Sequence, residues 1–277
     1  MAYDYKLLTV TKTDRLAEIV IANPPINLIT QELFQEWMAL TEELEADPDL
    51  TVIVFKSADP DFFMAHFDVD LILSFPFDGP AKRDENPNMF HVMCQRLRTM
   101  DKVTIAQVEG RVGGGGNEII SNMDMRFAVS GKTIFNQMEV PLGILPGGTG
   151  TQNLSRILGH GRAMEMIIGA EDLDADTALR WGYVNRTYAA AEIDRAVGRL
   201  AARIAGFPVE AVRLAKQSIV HAARSSEAGL QEESFLFQKL IREPIARKNM
   251  QIFLETGGQT REGELNLDRL VDRLTEI

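Results

Sequence analysis

Four consecutive glycines, Gly113 to Gly116, run straight into Asn117 and Glu118, and a second carboxylate, Glu139, follows twenty-one positions after Glu118. The stretch VTIAQVEGRVGGGGNEIIS reads as an apolar strand over 103–109, a turn without side chains, and a helix start that carries an acid. Glycine tolerates positive φ and lets other groups approach the main chain closely. A helix starting near Gly116 points its first, unpaired N–H groups back into the turn. Such donors suit an oxygen on which negative charge develops, provided a second N–H converges on it. A plainer reading is open at this point: a flexible loop, with the glutamate set against the helix dipole. Phosphate binding is excluded by the spelling. No G-x-G-x-x-G fits Gly110 to Gly116, no Lys-Ser/Thr closes a P-loop, and Pro146-Gly147-Gly148-Thr149-Gly150 fails the same tests.

The elements that must position these groups follow from the rest of the chain. Residues 5–11 and 16–22 read as strands separated by Thr13-Asp14-Arg15, and Pro24-Pro25 stops the second. Thr30 is the expected N-cap of an amphipathic helix, QELFQEWMALTEELEAD, followed by a strand over 51–56. The proline-rich, charged segment 75–90 reads as a mobile surface loop, Met89–Met100 as a helix and MRFAV as a strand. From about 149 the pattern turns helical, with three short segments closing near glycines and a nearly continuous helical run over 190–256, broken by GGQTREGE. Strands alternating with helices, then a helical third, predict an α/β core with a C-terminal helical region.

Composition bounds the function. Of 277 residues, 45% are hydrophobic and 25% charged, as in an ordinary soluble globular protein. The length suggests one large domain with a helical appendage, or two domains. A net charge of −11 argues against a nucleic-acid surface. Cys94 is the only cysteine, which rules out intrachain disulfides and favours a reducing compartment. No apolar leader opens the sequence and no apolar run reaches membrane-spanning length, so a cytoplasmic protein without a membrane partner is expected. His66, His91, His160 and His221 lack ligand-like spacing, and no metal is expected. Met64, Met89, Met93 and Met100 could line an acyl pocket, although such methionines more often sit in plain core.

Four further pieces accompany the glycine turn: Asn23-Pro24-Pro25-Ile26-Asn27; Phe63-Met64-Ala65-His66-Phe67-Asp68; Met138-Glu139-Val140-Pro141-Leu142-Gly143 leading into Leu145-Pro146-Gly147-Gly148; and Leu173 to Ala178 followed by Gly182-Tyr183-Val184-Asn185. In order and spacing they resemble the enoyl-CoA hydratase/isomerase (crotonase) family over roughly residues 5–255. The resemblance implies an α/β fold, a spiral of ββα turns over 1–200 holding the CoA-thioester site. A C-terminal helical region, 201–277, would build a homotrimer or homohexamer. It further implies an acyl-CoA substrate, coenzyme A being part of that substrate and no cofactor being needed. The thioester oxygen would be held, as it becomes an enolate, by the backbone amides of Phe67 and Gly115. Glu118 and Glu139 would handle one water molecule, and Ala65, His66, Asp68, Gly114 and Gly147 would contact the substrate. Both glutamates together favour hydration of a 2-enoyl-CoA over isomerisation, thioester hydrolysis, decarboxylation or mere binding of a CoA ester.

His66 departs from the family pattern, standing where glycine is usual, and its ring is expected to point away from the thioester channel. On that reading His66→Gly leaves turnover unchanged or raises it. Valine at Gly115 is expected to abolish turnover, and valine at Gly113 to cost less. The loop 75–90 is expected to shape acyl specificity.

Overall fold

A computed structural model describes residues 3–76, 79–83, 86–222, 227–267 and 269–271. Part of the expected loop, residues 77–78 and 84–85, therefore lies outside the described residues. Strands β1 (Leu8–Thr13) and β2 (Leu16–Ile21) form an antiparallel hairpin. There follow α1 (Gln31–Ala46), β3 (Val52–Ser57), β4 (Phe62–Met64), α2 (Val69–Leu73), α3 (Met89–Thr99), β5 (Val103–Val108), β6 (Arg111–Gly113), α4 (Gly114–Ser121), β7 (Met125–Val129) and β8 (Ile134–Asn136). Next come α5 (Gly150–Leu158), α6 (His160–Met164) with a π-helical turn at Glu165–Gly169, β9 (Leu173–Asp174), α7 (Ala175–Trp181) and β10 (Arg186–Tyr188). The helices α8 (Ala190–Ala205), α9 (Val209–Ala222), α10 (Glu227–Leu240), α11 (Pro244–Glu255) and α12 (Arg261–Leu265) complete the order.

Among the described residues the strands form two sheets, ordered β1-β2-β3-β5-β7-β10 and β4-β6-β8-β9. From β3 to β8 each turn sends its first strand to the larger sheet and its second to the smaller, pairing parallel within both, whereas β9 adds antiparallel to the smaller sheet before β10 joins the larger. The chain thus winds as a spiral of ββα turns. Strand β5 is buried at every position, as a parallel strand covered on both faces must be. Strand β3 shows the two-residue alternation that such cover requires. Val52 and Val54 pack towards Ile193 and Val197 of α8, while Ile53 and Phe55 join the core beneath α1.

Helix α1 starts where Thr30 accepts a hydrogen bond from Leu33 N–H, and it ends at Asp47, the residue before Pro48. Leu33, Trp37, Leu40 and Leu44 form its buried stripe, with Trp37 stacked on Phe55 at 5.0 Å. Each such side chain contributes about 1.5–3 kcal/mol on burial. Gly159 and Gly182 close α5 and α7 at positive φ, 79° and 80°. The segment between them ends differently: a π-helical turn runs past Gly169, and Ala170 takes the positive φ of 53°.

The C-terminal segment packs against the middle of the spiral. Phe253, Leu267 and Leu270 share one buried cluster with Val69 and Ile72 of α2 and with Met138 and Leu142. Helix α12 forms within the stretch expected to break the helical run, capped by Thr260, whose side chain accepts from Gly263 N–H. Among the described residues no helix is long and apolar enough to cross a membrane.

Candidate active site

The glycine turn is bare because other segments occupy the space its side chains would need. Gly113 caps α4 and Gly114 takes a φ of +43°. A Cβ on Gly114 would lie 3.0 Å from His66 Cβ and 3.2 Å from Glu139 Oε1. A Cβ on Gly115 would lie 3.2 Å from Phe67 Cβ and 3.5 Å from the Phe67 nitrogen, so the two backbones face each other. As an early residue of α4, Gly115 has an N–H without an intrahelical acceptor.

The facing strand is fixed by a parallel bridge between Ile29 and Phe67. Ile29 N–H donates to His66 O at 2.9 Å, and Asp68 N–H donates to Ile29 O at 3.1 Å. In this pattern the N–H and C=O of Phe67 itself turn to the opposite side of the strand. The expected contrast between Gly113 and Gly115 is overturned by the packing. A Cβ on Gly113 would stand 2.8 Å from the Ala65 carbonyl oxygen, a main-chain atom that cannot easily retreat. Valine at Gly113 is therefore expected to disturb the fold rather than to serve as a mild control.

Glu118 projects from α4 and is 4% exposed. Its Oε1 accepts from Gly148 N–H at 2.8 Å and from Gly150 N–H at 2.7 Å. Two amides can reach one oxygen because Thr149 between them sits at φ 111°, a conformation side-chain-bearing residues avoid. Asn122 Nδ2 steadies that residue by donating to Thr149 Oγ1 at 2.7 Å, and it also donates to Glu118 O at 2.8 Å. The second glycine cluster, unfit for phosphate, thus grips a carboxylate.

Glu139 is 8% exposed and is held by a side chain. Gln137 Nε2 donates to both its oxygens, at 3.2 and 3.1 Å. Gln137 Oε1 in turn accepts from Asn117 Nδ2 at 2.6 Å, and Asn117 Oδ1 accepts from the Tyr183 hydroxyl at 2.5 Å. Burial raises the Tyr183 phenol well above its ordinary pKa, which keeps the O–H as a donor. Three buried groups are therefore aligned head to tail towards one carboxylate, an order in which each bond polarises the next. Gln137 directly follows β8 and lies two positions before Glu139, which opens the next turn.

Glu118, Glu139, Gly114, Gly115 and Phe67 line one cavity of about 330 Å³, the size of a small-ligand site. His66 and Gly147 also lie on its wall. Two other expected contact positions stand behind it. Ala65 is buried with Ile26 and Phe62, and the Asp68 side chain caps α2, accepting from Asp70 N–H at 3.0 Å. The rest of the wall is apolar apart from Asn88. The rings of Phe34, Phe67 and Phe90 form one cluster with centroids 5.8–6.1 Å apart. Phe75, Asn88 and Met89, from the loop expected to shape specificity and the helix start after it, complete this side. Of the four methionines considered, Met89 reaches the wall, while Met64, Met93 and Met100 sit in core.

His66 is 2% exposed and its ring is engaged on both sides. Nδ1 lies 2.9 Å from Phe67 O, and Nε2 lies 3.0 Å from Oε1 of Glu264 on α12. Burial works against the imidazolium, but the charge and hydrogen bond of Glu264, then Phe67 O and Glu139, outweigh it and raise the pKa. Burial likewise opposes ionisation of Glu264, yet His66, Gln259 N–H and Arg111 bring its pKa below the usual carboxylate range. The two directions agree on a buried ion pair. Glu264 is a partner without any local signal near His66.

Residues 11–263 match the family model described as enoyl-CoA hydratase/isomerase. The short-chain-enoyl-CoA hydratase of Clostridium acetobutylicum is 30% identical over 88% of this chain and 93% of its own. The crotonyl-CoA hydratase of Syntrophomonas wolfei is 30% identical over 78% of this chain and 81% of its own. A crystal structure of a provisionally assigned enoyl-CoA hydratase from Streptomyces avermitilis superposes with a TM-score of 0.89. It is 33% identical and covers 99% of this chain and 100% of that one.

Proposed function

The chain belongs to the enoyl-CoA hydratase/isomerase family, and from that premise we propose that it is a lyase adding water across the C2=C3 bond of a 2-enoyl-CoA. One observation carries this reading: two carboxylates, Glu118 and Glu139, line the same cavity as two facing backbone amides, those of Phe67 and Gly115. The amides receive the thioester oxygen. As the water oxygen bonds to C3, the π electrons move through C2 and the carbonyl gathers charge that the two N–H donors stabilise. One carboxylate takes a proton from the water, and the other, in its protonated form, gives its proton to C2, collapsing the enolate to the 3-hydroxyacyl thioester. Neither proton transfer is useful without the donors, which is why all four groups must share one cavity. Coenzyme A enters as part of the substrate, and the reaction needs no further cofactor.

The apolar wall receives the acyl chain. A homotrimer or homohexamer is the assembly that the C-terminal helices support, because Leu214, Ile219, Leu236 and Ile245 are left exposed on them. A cytoplasmic location fits the single buried cysteine.

Product analysis on crotonyl-CoA tests the reaction. Loss of the conjugated thioester absorbance with formation of a 3-hydroxyacyl-CoA is expected. A product of unchanged mass would mean isomerisation, and free coenzyme A would mean hydrolysis; either would overturn the proposal.

A further inference from the structure

His66 lies in the strand that supplies one proposed oxyanion donor, yet the reaction as drawn does not use it. Both of its ring nitrogens face acceptors: a carbonyl oxygen, Phe67 O, and a carboxylate oxygen, Glu264 Oε1. A neutral imidazole has only one N–H and would leave one of these contacts unmade. A doubly protonated ring satisfies both. Glu264 Oε1 is itself pinned, accepting from Gln259 N–H at 2.6 Å, while Gln259 Oε1 accepts from Val69 N–H at 2.6 Å. Arg261 fastens the same segment to the spiral through ion pairs with Asp59, at 2.6 Å, and with Asp61. The result is a closed circuit, from Phe67 O through the ring to Glu264, then through Gln259 back to Val69, two residues beyond Phe67.

We infer that His66, clamped as an imidazolium by Glu264, is a positioning residue that sets the direction of the Phe67 peptide, making residues 259–264 a working part of the site. The inference rests on the hydratase reading, in which the Phe67 N–H binds the thioester oxygen. Bonds from Ile29 N–H to His66 O and from Asp68 N–H to Ile29 O fix one side of the strand. Ile29 N–H holds the 66–67 peptide at His66 O, and the His66 ring holds the 67–68 peptide at Phe67 O, so the two peptide units flanking Phe67 are both tied and its N–H keeps its direction.

The charged groups around the ring are Glu264 from α12 and Glu139 from the segment after β8, with Arg111 of β6 beyond Glu264 and paired to Asp172. Phe253 of α11 covers the ring edge-on, with centroids 5.8 Å apart. Burial and these partners give the sign of the pH effect. His66 has a raised pKa, so the clamp holds below the ordinary histidine value and is lost as pH rises through the raised one. Glu264 has a lowered pKa, so its contribution is lost only as pH falls through that value.

The test uses the full-length protein with ¹⁵N-labelled histidine, and crotonyl-CoA kinetics from about pH 6 to about pH 9. The wild-type His66 ring is expected to be doubly protonated at neutral pH, and kcat to fall on the alkaline side. Glu264→Gln keeps an acceptor but removes the charge. It is expected to lower the ring's titration point and to cost on the order of tenfold in kcat at alkaline pH, recovered towards acid, with KM changed less than about threefold. His66→Gln is expected to lose about tenfold or more at every pH and to lose the alkaline limb. A neutral ring in the wild type at neutral pH overturns the inference even if neither variant folds. So do folded variants with wild-type kcat and pH profile. A wild type that hydrates no enoyl-CoA overturns the hydratase reading and this inference with it. A wild type that hydrates with a neutral His66 overturns the inference alone.

Discussion

Glu118 and Glu139 border one cavity but are anchored by different materials. Glu118 is gripped by the main chain, through the amides of Gly148 and Gly150 on a turn bent at Thr149. Glu139 is gripped by side chains, through Gln137, Asn117 and Tyr183 in series. A main-chain grip can be loosened only by changing the path of the chain, whereas a side-chain relay can be weakened one link at a time. The first arrangement is built like the start of α4, from main-chain N–H groups, and the second like a buried polar network whose links depend on each other.

The largest effect tests whether both carboxylates work at all. Glu118→Gln and Glu139→Gln should each lower kcat by at least about a hundredfold, the scale for removing a positioned acid or base, with oligomer size and Tm unchanged. Crotonyl-CoA turnover with a parallel thermal melt checks both. The grip on Glu118 comes next. A Cβ at position 150 would stand 2.6 Å from Pro146 Cβ and 2.8 Å from Glu118 Oε1. Gly150→Ala should therefore displace the carboxylate and cost kcat on the order of tenfold to a hundredfold. A Gly150→Ala variant with wild-type kcat would show that the main-chain grip does not place Glu118.

The relay to Glu139 should respond in graded steps. Gln137→Leu removes both bonds to the carboxylate and should cost about tenfold in kcat with little change in KM. It should also cost about 1–3 kcal/mol of stability, because the Asn117 amide loses its buried acceptor. Tyr183→Phe removes only the far end of the relay and should cost about two- to threefold in kcat and about 1 kcal/mol in stability. Steady-state kinetics and urea unfolding of the two variants measure both effects. Equal losses in the two would mean that the relay is not a series of links.

Local patterns carried most of the scaffold. Thr30 and the spacing of Leu33, Trp37, Leu40 and Leu44 place the start of α1, with its end one residue short of the expected Asp47, and a largely apolar run places β5 in the middle of a covered sheet. The glycine turn was legible because few causes produce four adjacent glycines before an acid. Three features depend on distant segments and left no local trace. The room at Gly113 is set by Ala65, from another turn of the spiral. Thr149 adopts a φ that its residue type argues against, held there by Asn122. His66 pairs with Glu264 across 198 positions, so its bulk opposite the glycine turn looked like a mere departure from glycine. Its ring, expected only to turn aside, is bonded at both nitrogens.

The central claim is that Glu118 and Glu139 act together on one water, and the double variant Glu118→Gln/Glu139→Gln measures that directly. Groups that work as a unit give grossly non-additive losses, because removing either already disables the step. Crotonyl-CoA hydration by the double variant should fall no more than about tenfold below the weaker of the two single variants. Losses that multiply, each about a hundredfold and together about ten-thousandfold, would mean that the two carboxylates act in independent steps and would contradict the account.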